Sequence, residues 1–283
     1  MASSAGISLL RQIREIGRDA GAKSLAVAVH DYETGWAWSL HAERWFHAAS
    51  TIKVPVLLAV FAAIREGRLE PFSRVHVRNR FLSVADGEPF RVGTSRDANS
   101  AVHRQLGRTM RVEELALHMI ATSSNLATNL LLEVVGLEAA QQTLRELGLE
   151  GVELLRGVED ERAWERGINS RVTAFGLLGC FRLLHEQRAF AREHTDAMLE
   201  ILHAQEFNSG IPAGLPDEAR VAHKTGEIST VAHDGGLVFL PGRKPYGLVV
   251  LSEWDAERGG RQETIAHVSR AVWEQLQAGR DDG

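Results

Sequence analysis

Strand-forming segments lie only near the two ends of this chain, and that placement narrows the folds open to it. Near the N-terminus, Leu25–His30 and Trp36–Leu40 flank the turn residues Asp31–Gly35. Near the C-terminus, Gly235–Leu240 and Gly247–Ser252 flank Pro241–Pro245. Each set reads as strand, turn, strand. From Thr51 to about Leu202 the apolar residues recur at helical spacing instead. The clear helices are Val54–Arg65, Arg111–Ile120, Asn125–Val135, Leu137–Leu147 and Thr173–Leu184. Two end helices are also expected. One carries Ile7, Leu10, Ile13 and Ile16 on its apolar stripe; the other, over Gln262–Ala278, carries Ile265, Val268, Val272, Trp273 and Leu276. The simplest architecture is α+β: an antiparallel β-sheet built from both chain ends, flanked by terminal helices, with an inserted all-helical domain. Residues 1–49 and 203–283 then form the sheet part and residues 50–202 the helical part.

Composition removes several functions. Thirty-two basic residues against 37 acidic ones, with no basic block, leave no electrostatic footprint for nucleic acid. The single cysteine, Cys180, excludes an intrachain disulfide and a zinc site of several thiolates. Within an apolar helix it reads as an inert buried thiol. The twelve histidines show no His-Glu-x-x-His pairing, so neither a metal nor a cofactor is expected. No apolar run approaches the roughly 20 residues of a membrane span. The apolar start Ile7–Leu10 ends at Arg11, too short for an export signal. The chain as given is therefore expected in the cytoplasm, or in the periplasm or secreted if a leader has been removed. A monomer acting on a small molecule, without membrane or nucleic-acid partners, is expected. Trp36, Trp38, Trp164 and Trp273 read as core or loop packing. Residues 76–109 and 151–170 are polar and turn-rich, the kind of long segment that is usually functional or mobile.

Three short motifs carry chemistry. Ser50-Thr51-Ile52-Lys53 sits where an extended stretch meets an apolar helix. Ser50 and Lys53, at i and i+3, share a helix face. A lysine buried among Val54, Val56, Leu57 and Leu58 loses its preference for the ammonium form and so suits the activation of a serine. A helix cap with a surface lysine would explain the same residues. Ser123-Ser124-Asn125 lies between two helices, where either serine would serve as a cap. Ser123 is also placed to relay a proton, and Asn125 to bind a substrate amide. His223-Lys224-Thr225-Gly226 reads as an edge strand whose glycine lets a ligand lie against the backbone. Lys224 and Thr225 offer a cation and a hydroxyl to an anion; a solvated edge lysine is the plainer reading.

In this order the three motifs resemble Ser-x-x-Lys, Ser-Asp-Asn and Lys-Thr-Gly of class A β-lactamases and penicillin-binding proteins. The likeness extends to AASTIKVPVLLAVFAAIREGRL, MRVEELALHMIATSSNLATNLLLEVVG and VAHKTGEISTVAHDGGLVF, and spans about residues 6–278. It implies one catalytic unit with its site between the two parts. Ser50 would attack a carbonyl and form an acyl-enzyme, Lys53 would take or relay its proton, and Ser123 would pass a proton to the leaving nitrogen. Asn125 would hold the acylamido side chain. Lys224 and Thr225 would bind the substrate carboxylate, and Gly226 would let the substrate approach the strand. The backbone N–H groups of Ser50 and Glu227 would form the oxyanion hole.

The sequence departs from this pattern at four places. Ser124 stands where the family has aspartate. Glu227 places a carboxylate beside an anionic substrate. No arginine occupies the following strand, where His233 is a candidate partner for the substrate carboxylate and an imidazole paired with Asp234 is the structural alternative. In the loop 155–172, Glu159 is the nearest match to the deacylating glutamate, with Glu161 and Glu165 as rivals and Asn169 as its possible partner. The resemblance implies β-lactam hydrolysis. An esterase or D,D-peptidase with the same serine and lysine, or a sensor that is acylated and deacylates slowly, are the alternatives.

Overall fold

The computed structural model describes residues 4–281. An N-terminal helix, α1 (Ser4–Ala20), leads into strands β1 (Ser24–Asp31) and β2 (Ala37–Leu40). The chain returns to the sheet only at β3 (Arg220–Ile228), β4 (Val231–Phe239) and β5 (Tyr246–Glu253), and then closes with a helix over Arg261–Asp281. The sheet order is β3-β4-β5-β1-β2, antiparallel throughout. The two chain ends meet where β1 pairs with β5, in a register that sets Ser24 opposite Glu253 and Asp31 opposite Tyr246.

The sheet is covered on both faces, which is why its strands read as nearly continuous apolar runs rather than alternating ones. Val27, Val29, Leu248 and Val250 meet Leu9, Ile13, Ile265, Val268 and Val272 of the two end helices. Ala26, Ala28, Val249 and Leu251 face the helical part. That face is lined with small residues because a helix over Ala174–Glu186 lies close on it. A Cβ added at Gly247 would stand 2.6 Å from Leu178 Cδ1. The stripe of α1 differs from the expected one. Leu9 and Ile13 are buried while Ile7 is exposed, so the helix is rotated toward Leu9 and Gly17, whose missing side chain leaves room for Leu25.

Between the strands run α2 (Lys53–Arg65), α3 (Val112–Ala121), α4 (Asn125–Val135), α5 (Leu137–Glu146), a short α6 (Glu161–Glu165), α7 (Ala174–Glu186) and α8 (Arg192–His203). Helix α2 is apolar all round, and every residue from Lys53 to Ala63 is buried. A helix without a polar face belongs in the interior, and here the other helices surround it. Residues 76–109 are not one loose loop. They are folded back by short strand pairs, Arg74–His76 with Thr109–Arg111 and Phe81–Leu82 with Pro89–Phe90. Cys180 lies in α7 fully buried, and burial pushes its thiol up to about 12. Among the described residues no helix is long and apolar enough to cross a membrane.

Candidate active site

The buried helix α2 is entered through a 3-10 turn, Ala49–Ile52, that holds Ser50 at the mouth of a cleft of about 840 Å³. The turn is tightened by Thr51, whose N–H and Oγ1–H both donate to Ala48 O, at 3.1 and 2.6 Å. The short strand Phe46–His47 before it pairs with Arg171–Val172 at the end of the 155–172 loop. The edge strand β3 passes so close that a Cβ on Gly226 would lie 2.9 Å from Thr51 N and 3.0 Å from Ser50 N. Glycine is required there because two backbones meet with no room for a side chain.

Lys53 is fully buried one turn behind Ser50. Its Nζ lies 3.1 Å from Ser50 Oγ, 3.0 Å from Ser123 Oγ, 2.6 Å from Ser123 O and 2.7 Å from Asn125 Oδ1. The last two atoms can only accept. A neutral amine has two N–H groups and one lone pair, so the carbonyls take both protons and the lone pair is left for a hydroxyl. Burial lowers the Lys53 pKa well below the usual lysine value, and the neighbouring Lys224 lowers it further; Asp97 and Glu159 act in the opposite direction. Desolvation thus wins, and the side chain is suited to accept a proton rather than to hold one.

Backbone strain is concentrated at the same place. Among the described residues five non-glycine residues have positive φ, and three of them, Ala49, Ser123 and Glu159, touch this cleft. Each such residue costs on the order of 1–3 kcal/mol, and persists where surrounding contacts impose it. At Ser123 the contacts are with Lys53 Nζ, which donates to its carbonyl oxygen at 2.6 Å and lies 3.0 Å from its Oγ. The next residue, Ser124, turns inward, is buried and caps α4 by accepting from Ala127 N at 3.2 Å.

The glutamate rivals separate on geometry. Glu159 lines the cleft with its carboxylate mostly buried. Its Oε1 accepts from Asn125 Nδ2 at 3.3 Å, and its Oε2 from Arg96 Nε at 2.7 Å. Glu161 and Glu165 also border the cleft but are exposed on α6. The loop is braced against α4, where Asn129 donates to Val158 O and accepts from Val158 N, at 2.8 and 2.9 Å. Asn169 does not partner Glu159. It accepts from the Arg156 guanidinium at 3.1 and 3.3 Å, and so ties the loop's two ends together.

On the facing strand, Thr225 lines the cleft, while Lys224 is fully buried behind it, outside the lining residues, and donates to Thr225 O at 2.9 Å. Burial pulls the Lys224 pKa down to about 7, against the opposing attraction of Asp234. The Glu227 side chain lies at the border of the cleft on the side of the C-terminal helix, where Gln262, also a cleft residue, donates to it from Nε2 at 2.7 Å and Arg261 Nη1 stands 3.8 Å away. Its backbone lies on the edge strand next to Gly226, beside Ser50, and its charge is held by these two partners of the C-terminal helix.

His233 requires a correction. It does not line the cleft and is fully buried, with Nε2 2.9 Å from His47 O and Nδ1 3.2 Å from Ser252 N. Since Ser252 N–H must donate, Nδ1 is the acceptor and Nε2–H donates to His47 O. Burial lowers its pKa to about 4. A neutral imidazole with both nitrogens occupied has no charge to give a substrate carboxylate. Nor does it pair with Asp234, which holds His223 Nδ1 at 2.8 Å and Ile211 N at 2.9 Å.

Among the cleft residues not assigned to the site from the sequence are two aromatic side chains and an arginine. Trp164, read as packing, is exposed on α6 and lines the cleft. Phe207 lines it as well. Arg96 reaches Glu159 from the polar 76–109 segment, where no periodicity marks it. Among the described residues no group of three or more histidine, cysteine or acidic side chains is placed to hold a metal ion.

The family model described as "Beta-lactamase enzyme family" matches residues 8–276. The chain is 30% identical to a beta-lactamase of Rhodobacter capsulatus, over 94% of this chain and 87% of that one. It is 31% identical to a beta-lactamase of Kitasatospora aureofaciens, over 82% and 73% of the respective lengths. Among solved structures it superposes on PBP-A with a TM-score of 0.81 at 26% identity, covering 96% of each chain. A mutant of PBP-A solved as an acyl-enzyme with penicillin G gives the same TM-score at 25% identity, over 96% of this chain and 97% of that one. An ancestral class A beta-lactamase gives a TM-score of 0.81 at 26% identity, over 94% and 99%. With a buried lysine between two serines, at the seam of a helical part and an antiparallel sheet, this chain belongs to the beta-lactamase enzyme family and is a hydrolase of the serine β-lactamase kind.

Proposed function

We propose that the protein opens the β-lactam amide by acylation at Ser50 and clears the acyl-enzyme by hydrolysis. The observation that carries this reading is Lys53 Nζ, held 3.1 Å from Ser50 Oγ and 3.0 Å from Ser123 Oγ with both its N–H groups committed elsewhere. Ser50 Oγ attacks the lactam carbonyl carbon while its proton passes to the Lys53 lone pair. The ring C–N bond breaks as Ser123 delivers that proton to the leaving nitrogen, leaving an ester on Ser50. The developing oxyanion is met by the N–H groups of Ser50 and Glu227, each such donor being worth roughly 10²–10³ in rate. Glu159 then takes a proton from water, whose oxygen attacks the ester carbon; the bond from that carbon to Ser50 Oγ breaks, and Oγ takes up the proton that Glu159 gained.

The test is a time course with a chromogenic cephalosporin. Sustained turnover supports the proposal. A second reading has its own observation: Arg96 occupies Glu159 Oε2 at 2.7 Å, a contact that competes with water activation. On that reading the protein gives a burst equal to the enzyme concentration and then a plateau, as a sensor would. A D,D-peptidase would also stall after a burst, whereas absence of any acylation favours an esterase using the same serine.

Lys224 gives a pH prediction. With its pKa near 7, it is cationic below that pH and neutral above it. The carboxylate of a substrate binds the cation, so affinity should fall as pH rises through and above 7. Where binding requires the protonated form the fall approaches about tenfold per pH unit. Competition binding with a carboxylate-bearing inhibitor and its uncharged amide checks this. The amide should lack the alkaline fall; an identical profile for both would remove Lys224 from carboxylate recognition.

A further inference from the structure

The second motif lacks the aspartate at its centre that the family resemblance leads one to expect, yet a carboxylate stands beside it. Asp97, from the 76–109 segment, enters with its side chain fully buried and with the buried His103 Nε2 3.1 Å from its Oδ2. Its Oδ2 accepts from Ser124 Oγ at 2.9 Å and from Leu126 N at 3.4 Å, and its Oδ1 accepts a short hydrogen bond from Asn125 N. The donors are the three consecutive residues that open α4. Buried carboxylates persist where such donors surround them. The residue before it completes the grip: Arg96 O accepts from Asn125 Nδ2 at 2.8 Å, which turns Asn125 Oδ1 toward Lys53 Nζ.

We propose that Asp97 is a positioning residue for acylation, supplying from another segment of the chain the carboxylate that the centre of the second motif lacks. It acts by fixing the backbone of Ser124, Asn125 and Leu126, and through them the Ser123 and Asn125 oxygens that bind Lys53. An N-cap aspartate at position 124 would hold its own helix N-terminus. Serine at 124 caps Ala127 N but brings no charge, and its hydroxyl donates to Asp97, whose carboxylate takes the Asn125 and Leu126 N–H groups. The inference rests on Ser50 as the nucleophile of the proposed reaction.

The groups around Lys53 that bear on its protonation are Lys224, Asp97 and Glu159, with His103 lying 3.1 Å from the Asp97 carboxylate. Removing the Asp97 charge leaves Lys53 neutral to lower pH, so the acid limb of the acylation profile should move to lower pH. A purely structural residue would lower the rate without moving that limb.

The experiment measures the rate of Ser50 labelling across pH for wild type, Asp97→Asn, Asp97→Ser and the exchange Asp97→Ser/Ser124→Asp. Two reagents are used, a fluorescent penicillin and an aryl fluorophosphonate that needs no lactam recognition. Asp97→Asn should label about 10- to 100-fold more slowly, in keeping with the sensitivity of such steps to misplacement, with its acid limb displaced downward. The exchange variant should recover to within a few-fold of wild type. Labelling of Asp97→Asn within twofold of wild type overturns the inference. So does an exchange variant no faster than Asp97→Ser, a comparison that decides the matter even if Asp97→Asn does not fold. Wild type inert to the penicillin but labelled by the fluorophosphonate would defeat the lactam reading, while the fluorophosphonate rates still decide the role of Asp97.

Discussion

Ser50→Ala should lower turnover of a chromogenic cephalosporin by on the order of 10⁴–10⁶-fold and abolish covalent labelling, because in the proposed reaction Ser50 is the nucleophile and Ser123, the other hydroxyl beside Lys53, serves the leaving nitrogen. The Lys53 Nζ would keep three of its four partners, Ser123 O, Ser123 Oγ and Asn125 Oδ1. Ser123 cannot substitute, since its backbone sits at positive φ with the carbonyl held by Nζ. The fold should be little affected, so the thermal midpoint should stay close to that of wild type while activity vanishes. Intact-mass spectrometry after mixing with penicillin G is the decisive measurement. A stoichiometric adduct on the alanine variant would show that the nucleophile lies elsewhere.

Glu159→Gln should separate the two half-reactions. Glutamine preserves the volume and an oxygen for the Asn125 amide, yet cannot take a proton from water. Loss of a general base costs roughly 10²–10⁴ in rate, and here the loss should fall on deacylation alone. The expected trace is a burst equal to the enzyme concentration followed by a crawl, with an acyl adduct on Ser50 that persists on gel filtration. Glu161→Gln and Glu165→Gln, altered on the exposed side of α6, should turn over like wild type. If Glu159→Gln hydrolyses normally and one of the other two accumulates adduct, the base has been assigned to the wrong residue.

The legible part of the site was the part carried by short motifs on regular elements. Ser50 and Lys53 are brought together by one helical turn, and Asn125 by the start of the next helix. Lys224 and Thr225 are placed by a strand whose apolar pattern marks it. The parts that went unread depend on loops. His233 looked available because a histidine next to an aspartate on a strand can face either way. Only the neighbouring strand and the His47 carbonyl make it a buried neutral ring. Asp97 is 27 residues from Ser124 along the chain, in a segment with no period to reveal which side chains turn inward. Trp164 looked like packing because an aromatic residue in sequence carries no mark of which side of a loop it occupies.

Sequence alone determined the α+β arrangement, the strand pairs at the two chain ends, the all-apolar α2 and the order of the three motifs. These follow from residue-by-residue burial and local backbone preference, which repeat with the period of each element. Tertiary structure decided how Glu159 stands relative to its rivals, which way Glu227 points, that His233 is withdrawn from the cleft, and that Asp97 supports the second motif. Each of those is a contact between segments with no common period. It exists only once α2, the 76–109 segment, the 155–172 loop and the edge strand have closed around the same buried lysine.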